Sequence, residues 1–296
     1  MKFRFNLSQL AILSLFFSLI MVYSCSKETS QTSTDAQEEE VSKATGESDA
    51  EAETTYNEFF EDALGANNDV GIAGSGVFYG RPDTLTPVPR CFTTTITRPN
   101  NTPFPVIVVL DFGTTGCPGP DGRVRRGKII TEYTNRLIYP GAIATTTFDG
   151  FYVDNVHVEG IHKITNTSAG TSNRQYTVEV RNAKLTKPNG DYIKWKSDRV
   201  ITQIEGFITP DFHDDIFSIT GSGQGQVKRG NLLAGWESSI TEPLIKRLTC
   251  RWIVKGRIRT VRVNSTWIAI LDFGNGNCDN QAIMTINGVP HQITLP

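Results

Sequence analysis

Beyond residue 68 the sequence keeps no helical periodicity for as long as a dozen residues. That excludes a parallel α/β sheet and the nucleotide-binding folds built on one. No Gly-x-Ser-x-Gly elbow occurs, so the hydrolase nucleophile turn is missing. Histidines number four: His157, His162, His213 and His291. In "HVEGIH" the alternation of a strand puts His157 and Glu159 on one face and His162 on the other, a poor arrangement for zinc. The triplet Asp-Phe-Gly appears twice, in "VVLDFGTTGC" (108–117) and "AILDFGNGNC" (269–278). A kinase would also need a glycine-rich phosphate loop, a strand lysine paired with a helical glutamate, and a catalytic-loop Asp and Asn. None occurs in order, so phosphoryl transfer is excluded. No catalytic constellation, cofactor motif or metal set emerges, and the chain reads as a non-enzyme.

What is present begins with "MKFRFN", which carries Lys2 and Arg4 and no acid. The apolar run Leu10–Val22 comes next, and as a helix it rises only about 20 Å, the size of a secretory signal core rather than a membrane span. "VYSC" closes it, and resembles a bacterial lipobox in which Cys25 receives a diacylglyceryl group and becomes the mature N-terminus. Residues 1–24 are then a lipoprotein signal peptide, and the acyl chains on Cys25 anchor the protein to a membrane.

Residues 26–68 hold twelve acids against Lys27 and Lys43, a net of −10, whereas the chain from 69 onward carries a net of +6. Low hydrophobicity and high charge predict a disordered acidic tether over 25–68. Tyr56, Phe59, Phe60, Ala63 and Leu64 form a helical stripe, which predicts a short helix at 54–64 that Gly65 could end.

Residues 69–296 read as all-β, with antiparallel sheets arranged as a sandwich or as an extended twisted meander. "YTVEV" (176–180) and "YIKWK" (192–196) alternate apolar and polar residues, and turn signals such as "KPNGD" (187–191) and "NG" (287–288) separate the strands. The domain is internally duplicated. "IAGSG" (72–76) matches "ITGSG" (219–223), and "LDFGTTGC" matches "LDFGNGNC", which gives repeat units of about 72–117 and 219–278, the second with room for an extra hairpin around Trp236. Removing Cys25 from the five cysteines leaves four, and each repeat keeps its own pair. The expected disulfides are Cys91–Cys117 and Cys250–Cys278, each contributing roughly 3–4 kcal/mol by chain entropy. Asp111 and Asp272 then hold turns that Gly113 and Gly274 enter at positive φ.

Other candidates are weaker. Asp121, Asp279 and Asn280 supply too few oxygens for calcium. "DFHDD" (211–215) is the best metal candidate, with a solvated acidic loop as the plainer reading. Basic residues gather at 123–128 and 246–262; they form a solvated sheet face or a surface for an acidic polysaccharide, lipid head group or protein. Trp195, Trp236, Trp252 and Trp267 serve the core or form a sugar-stacking platform.

Together with the acidic stretch, "LDFGTTGCPGPDGRVRRGKI" and "CRWIVKG…LDFGNGNCDNQAIMTING…ITLP" resemble a group of envelope lipoproteins of Bacteroidota-type bacteria. The group carries no established activity, so the resemblance transfers no catalytic residue. It implies a location, the outer membrane or cell surface, with Cys25 as anchor and an envelope polysaccharide or protein, not nucleic acid, as partner. A role in binding or in structure is expected, with a carbohydrate-binding or carbohydrate-processing accessory lipoprotein as the alternative.

Overall fold

The computed structural model describes residues 34–64, 91–119, 122–170, 173–206 and 214–296. Cys25, the first GSG (74–76), Asp121 and His213 lie outside them. The chain divides into two compact units at Val41/Ser42, and the second, 42–296, holds all the strands described below.

The helix α1 runs over 34–64. Fourteen strands come after it: β1 (Thr93–Thr97), β2 (Val106–Asp111), the two-residue β3 (Cys117–Pro118), β4 (Val124–Tyr133), β5 (Ile143–Val153), β6 (Val156–Asn166), β7 (Gln175–Thr186), β8 (Tyr192–Glu205), β9 (Ile216–Arg229), β10 (Leu232–Arg247), β11 (Ile253–Arg262), β12 (Ile268–Asn275), β13 (Gln281–Ile286) and β14 (Val289–Thr294). They form one antiparallel sheet in the order of the chain, with β3 set aside against β4, and the sheet does not close. It is a single meander rather than a sandwich. Its turns obey local chemistry: Asn287 and Gly288 take φ of 46° and 89° between β13 and β14, the geometry an Asn-Gly hairpin prefers.

The sheet curves around residues 42–64 of α1. Tyr56 donates its hydroxyl to the Glu159 carbonyl on β6, and Tyr133 on β4 donates to the Ala63 carbonyl. Phe59 packs on Phe148 and Phe151 of β5, and Phe60 on Tyr176 of β7 and Phe217 of β9. Gly46 lies over Met284 of β13. The helix is therefore longer than the aromatic stripe predicts, and over 34–64 the expectation of a disordered tether is wrong. Low hydrophobicity misleads because the sheet supplies partners for the helix's polar groups. Ser48, Asp49, Glu53 and Glu61 are all buried.

The two cysteine-bearing segments fold alike, although residues 72–90 of the first expected repeat lie outside the described residues. Cys91–β1–β2–Cys117 and Cys250–β11–β12–Cys278 are two hairpins, each closed by its own disulfide, with Cα–Cα distances of 5.4 and 5.6 Å. Val106, Val108, Leu110 and Phe112 are buried in one copy, and Ala269, Leu271 and Phe273 in the other. Asp111 accepts from the Gly113 amide and Asp272 from the Gly274 amide, both at 2.9 Å, and the glycines have φ of 69° and 90°. The DFG triplets are strand-end turns.

The second GSG belongs to something else. In β9, Gly221, Gly223 and Gly225 alternate along the face that meets α1. Gly225 stands between Trp195 of β8 and Trp236 of β10 in the ladder, and a Cβ there would enter the Trp236 ring. Gly225→Val is expected to cost about 1–3 kcal/mol or more by overpacking. Gly235→Ala, with a neighbour at ordinary contact distance, should be near neutral. Urea unfolding followed by tryptophan fluorescence would show the two variants apart.

Candidate functional site

The glycine stripe lets two indoles reach one carboxylate. Asp49 Oδ1 accepts from Trp195 Nε1 at 2.9 Å, Trp236 Nε1 at 2.8 Å and Ser238 Oγ at 3.0 Å. Its Oδ2 accepts no hydrogen bond among the described residues. Burial pushes the Asp49 carboxyl above its ordinary range; Arg199 and the indole donors pull it down, and nearby Glu53 pushes it up again.

One helical turn on, Glu53 meets Arg199 of β8. Arg199 Nη2 lies 2.6 Å and Nε 3.1 Å from Glu53 Oε2, with both side chains about 2–3% exposed. Burial alone would lower the guanidinium, yet Glu53 and Asp49 hold it above its usual value. Near the helix end, Glu61 pairs with Lys246 of β10 at 2.6 Å, and the same ammonium donates to the carbonyls of Cys250 and Arg251. A further row of acids lies along the less buried side of α1. Glu47 pairs with Arg229, Glu51 with Lys187, and both oxygens of Glu58 with Arg123. Arg251 also approaches Glu58, at 3.5 Å. Beside it a recess of about 360 Å³ opens between Glu51, Thr54, Arg123, Asp154 and Arg251.

His162 on β6 is fully buried against the Tyr56 and Phe59 rings. Desolvation lowers its pKa to about 3, so it stays neutral.

The outer face of the sheet carries a groove of about 650 Å³ over β7–β10, bordered by Lys184, Lys194, Lys196, Gln224, Gln226 and Glu237. Lys194 and Lys196 make no ion pair among the described residues. The ammonium groups of Lys184 and Lys194 lie 5.6 and 5.4 Å from the Tyr192 ring centre.

Several sequence candidates land elsewhere than expected. Trp195 and Trp236 are buried on Asp49, so the four tryptophans form no platform; Trp252 donates instead to the Pro296 carbonyl. In "DFHDD", Asp215 is buried and accepts from Gln203 Nε2 at 2.7 Å, which removes it from a solvated loop. Of the basic run 123–128, Arg123 and Arg125 turn inward toward Glu58. Arg257 bonds Asp272 and Glu242 on the outer face. His157 faces Glu159 at 3.6 Å. The groove lysines belong to no motif, although "KWK" spells out two of them on one face. The bases opposing the helical acids were not legible as pairs, because Glu53 and Arg199 are 146 residues apart.

Comparison with protein-family models, curated proteins and solved structures finds no match to this chain. Its chemistry therefore rests on its own residues. The acids gathered by the fold are committed to indole, guanidinium or ammonium partners, which makes the interior an electrostatic lock. The outer groove presents two cations, Lys194 and Lys196, that make no ion pair among the described residues.

The lock makes two outcomes testable. Glu53→Gln leaves the Arg199 charge buried without its hydrogen-bonded carboxylate, with only the Asp49 field nearby, and should cost about 3–5 kcal/mol, while Glu53→Met with Arg199→Met should recover much of that loss. A double-mutant cycle by equilibrium unfolding measures the coupling. For His162, the unfolded chain takes up a proton near pH 6.5 while the folded protein resists until about 3. Its stabilising contribution is thus full above about pH 6.5 and is lost as pH falls toward 3, at roughly 1.4 kcal/mol per pH unit. Asp49, whose folded pKa is raised, contributes in the opposite sense, its share being lost as pH rises. His162→Phe should flatten the acid limb of stability against pH, and parallel curves for variant and wild type would refute the assignment.

Proposed function

We propose that the protein is exported and held at the outer membrane or cell surface by acyl chains on Cys25, where it has a structural and binding role without catalysis. The observation that carries this reading is the N-terminal pattern itself: a basic start, a thirteen-residue apolar core and "VYSC". One feature supports it. The paired cysteines of each hairpin suit an oxidising compartment.

A carbohydrate-binding accessory role is the second reading. The lysine groove favours it, with the Gln224 and Gln226 amides and the Tyr192 ring at hand. The buried indoles of Trp195 and Trp236 take no part.

Cys25→Ala is expected to shift the protein from the membrane fraction to the soluble one and to abolish incorporation of labelled palmitate. A variant that stays tightly membrane-bound would sink the anchor.

A further inference from the structure

We infer that the outer groove over β7–β10 binds an acidic polysaccharide whose carboxylates sit on Lys194 and Lys196. The inference deepens the binding role above and depends on that reading only for where such a polymer would be met.

The strand register places the groove's residues on a grid. Lys196, Gln224 and Glu237 form one row across β8, β9 and β10. The next row is Lys184, Lys194, Gln226 and Gly235 across β7 to β10. Lys184 and Lys194 are direct cross-strand neighbours, an arrangement that repels and weakens a sheet unless something offsets it. Tyr192 relieves part of it by receiving both ammonium groups near its ring, and Glu159 lies 3.9 Å from Lys184. Lys194 and Lys196 are left as exposed cations two residues apart on one strand face, hence roughly 7 Å from each other along β8. Gly235 adds no side chain to its row, which deepens the groove floor.

Charge alone would suit any anionic surface. The rest of the grid narrows the choice. Gln224 and Gln226 present amides at the same two-residue interval as the lysines, which matches a chain carrying hydroxyls beside each carboxylate. Tyr192 adds an aromatic ring at the end of the run, beside Lys194, on whose face a sugar ring can stack. Glu237 sits within the recess, where a flat layer of anionic head groups would be repelled and could not enter; a single polymer strand can align its hydroxyls there.

The test uses the full chain carrying Cys25→Ala, with polygalacturonate as the probe, neutral dextran as a control, and vesicles of phosphatidylglycerol as the competing surface. Polygalacturonate should bind and dextran should not. Lys194→Gln with Lys196→Gln should weaken binding by roughly tenfold or more, and Tyr192→Ala by about threefold at unchanged charge. Lys163→Gln removes a lysine of the same face that is engaged with Glu179 and should change binding by less than about twofold. Failure to bind polygalacturonate, equal binding to the vesicles, or an equal loss in Lys163→Gln would each overturn the proposal. Because the probe protein lacks the anchor cysteine, failure of the anchor reading leaves this result untouched, and failure here leaves the fractionation result standing.

Discussion

The Glu53–Arg199 pair, buried beside Asp49 under two indoles, is the constraint on which the rest of this fold depends. An ion pair so placed adds little net stability over an apolar contact, because desolvation offsets most of the attraction. Its force lies in what it forbids. A helix slipped by one residue would leave a carboxylate facing a strand with no donor, and a guanidinium without its acid. Glu61–Lys246 repeats that condition two turns later, and the Asp49 cluster repeats it one turn earlier. The helix therefore sits in one register along the sheet, although much of its surface is Ala, Ser, Thr and Glu rather than large apolar side chains.

The sheet is shaped to this helix. Alternate glycines in β9 bring Trp195 and Trp236 together over Asp49, and Tyr56, Phe59 and Phe60 fill the space further along. The two disulfide-closed hairpins lie toward opposite ends of the meander, where a strand has a neighbour on one side only or close to it. Covalent closure there stiffens the regions least held by ladder bonding. The stretch over β7–β10, by contrast, is fixed from inside by the helix, and on its outer side that rigidity presents the lysine groove.

Much of the β architecture was legible because its signals are local. "YTVEV" and "YIKWK" alternate, Asn-Gly marks a hairpin, and each LDFG copy has a cysteine shortly past its glycine. Each of these concerns neighbours within a few residues. The helix was half legible: its aromatic stripe gave 54–64, while 34–53 looked like solvated acid. The net charges of −10 and +6 held the missing information. Taken as two separate regions they suggested a tether and a domain; in the fold, acids between Glu47 and Glu61 meet bases of the strands.

The sequence by itself therefore determined the strands, their turns, the duplicated hairpins and the cysteine pairing, all set by backbone preference and short-range pattern. Only the tertiary structure decided that residues 42–64 are a helix packed on the sheet, that two tryptophans serve an aspartate, and that Lys194 and Lys196 share an open groove. The reason is physical. A buried charge is tolerated only where its partner stands, and the hydrogen-bonded partners here lie 65 to 189 residues away in the chain. No local pattern encodes that distance, whereas the folded chain brings such partners to under 3 Å.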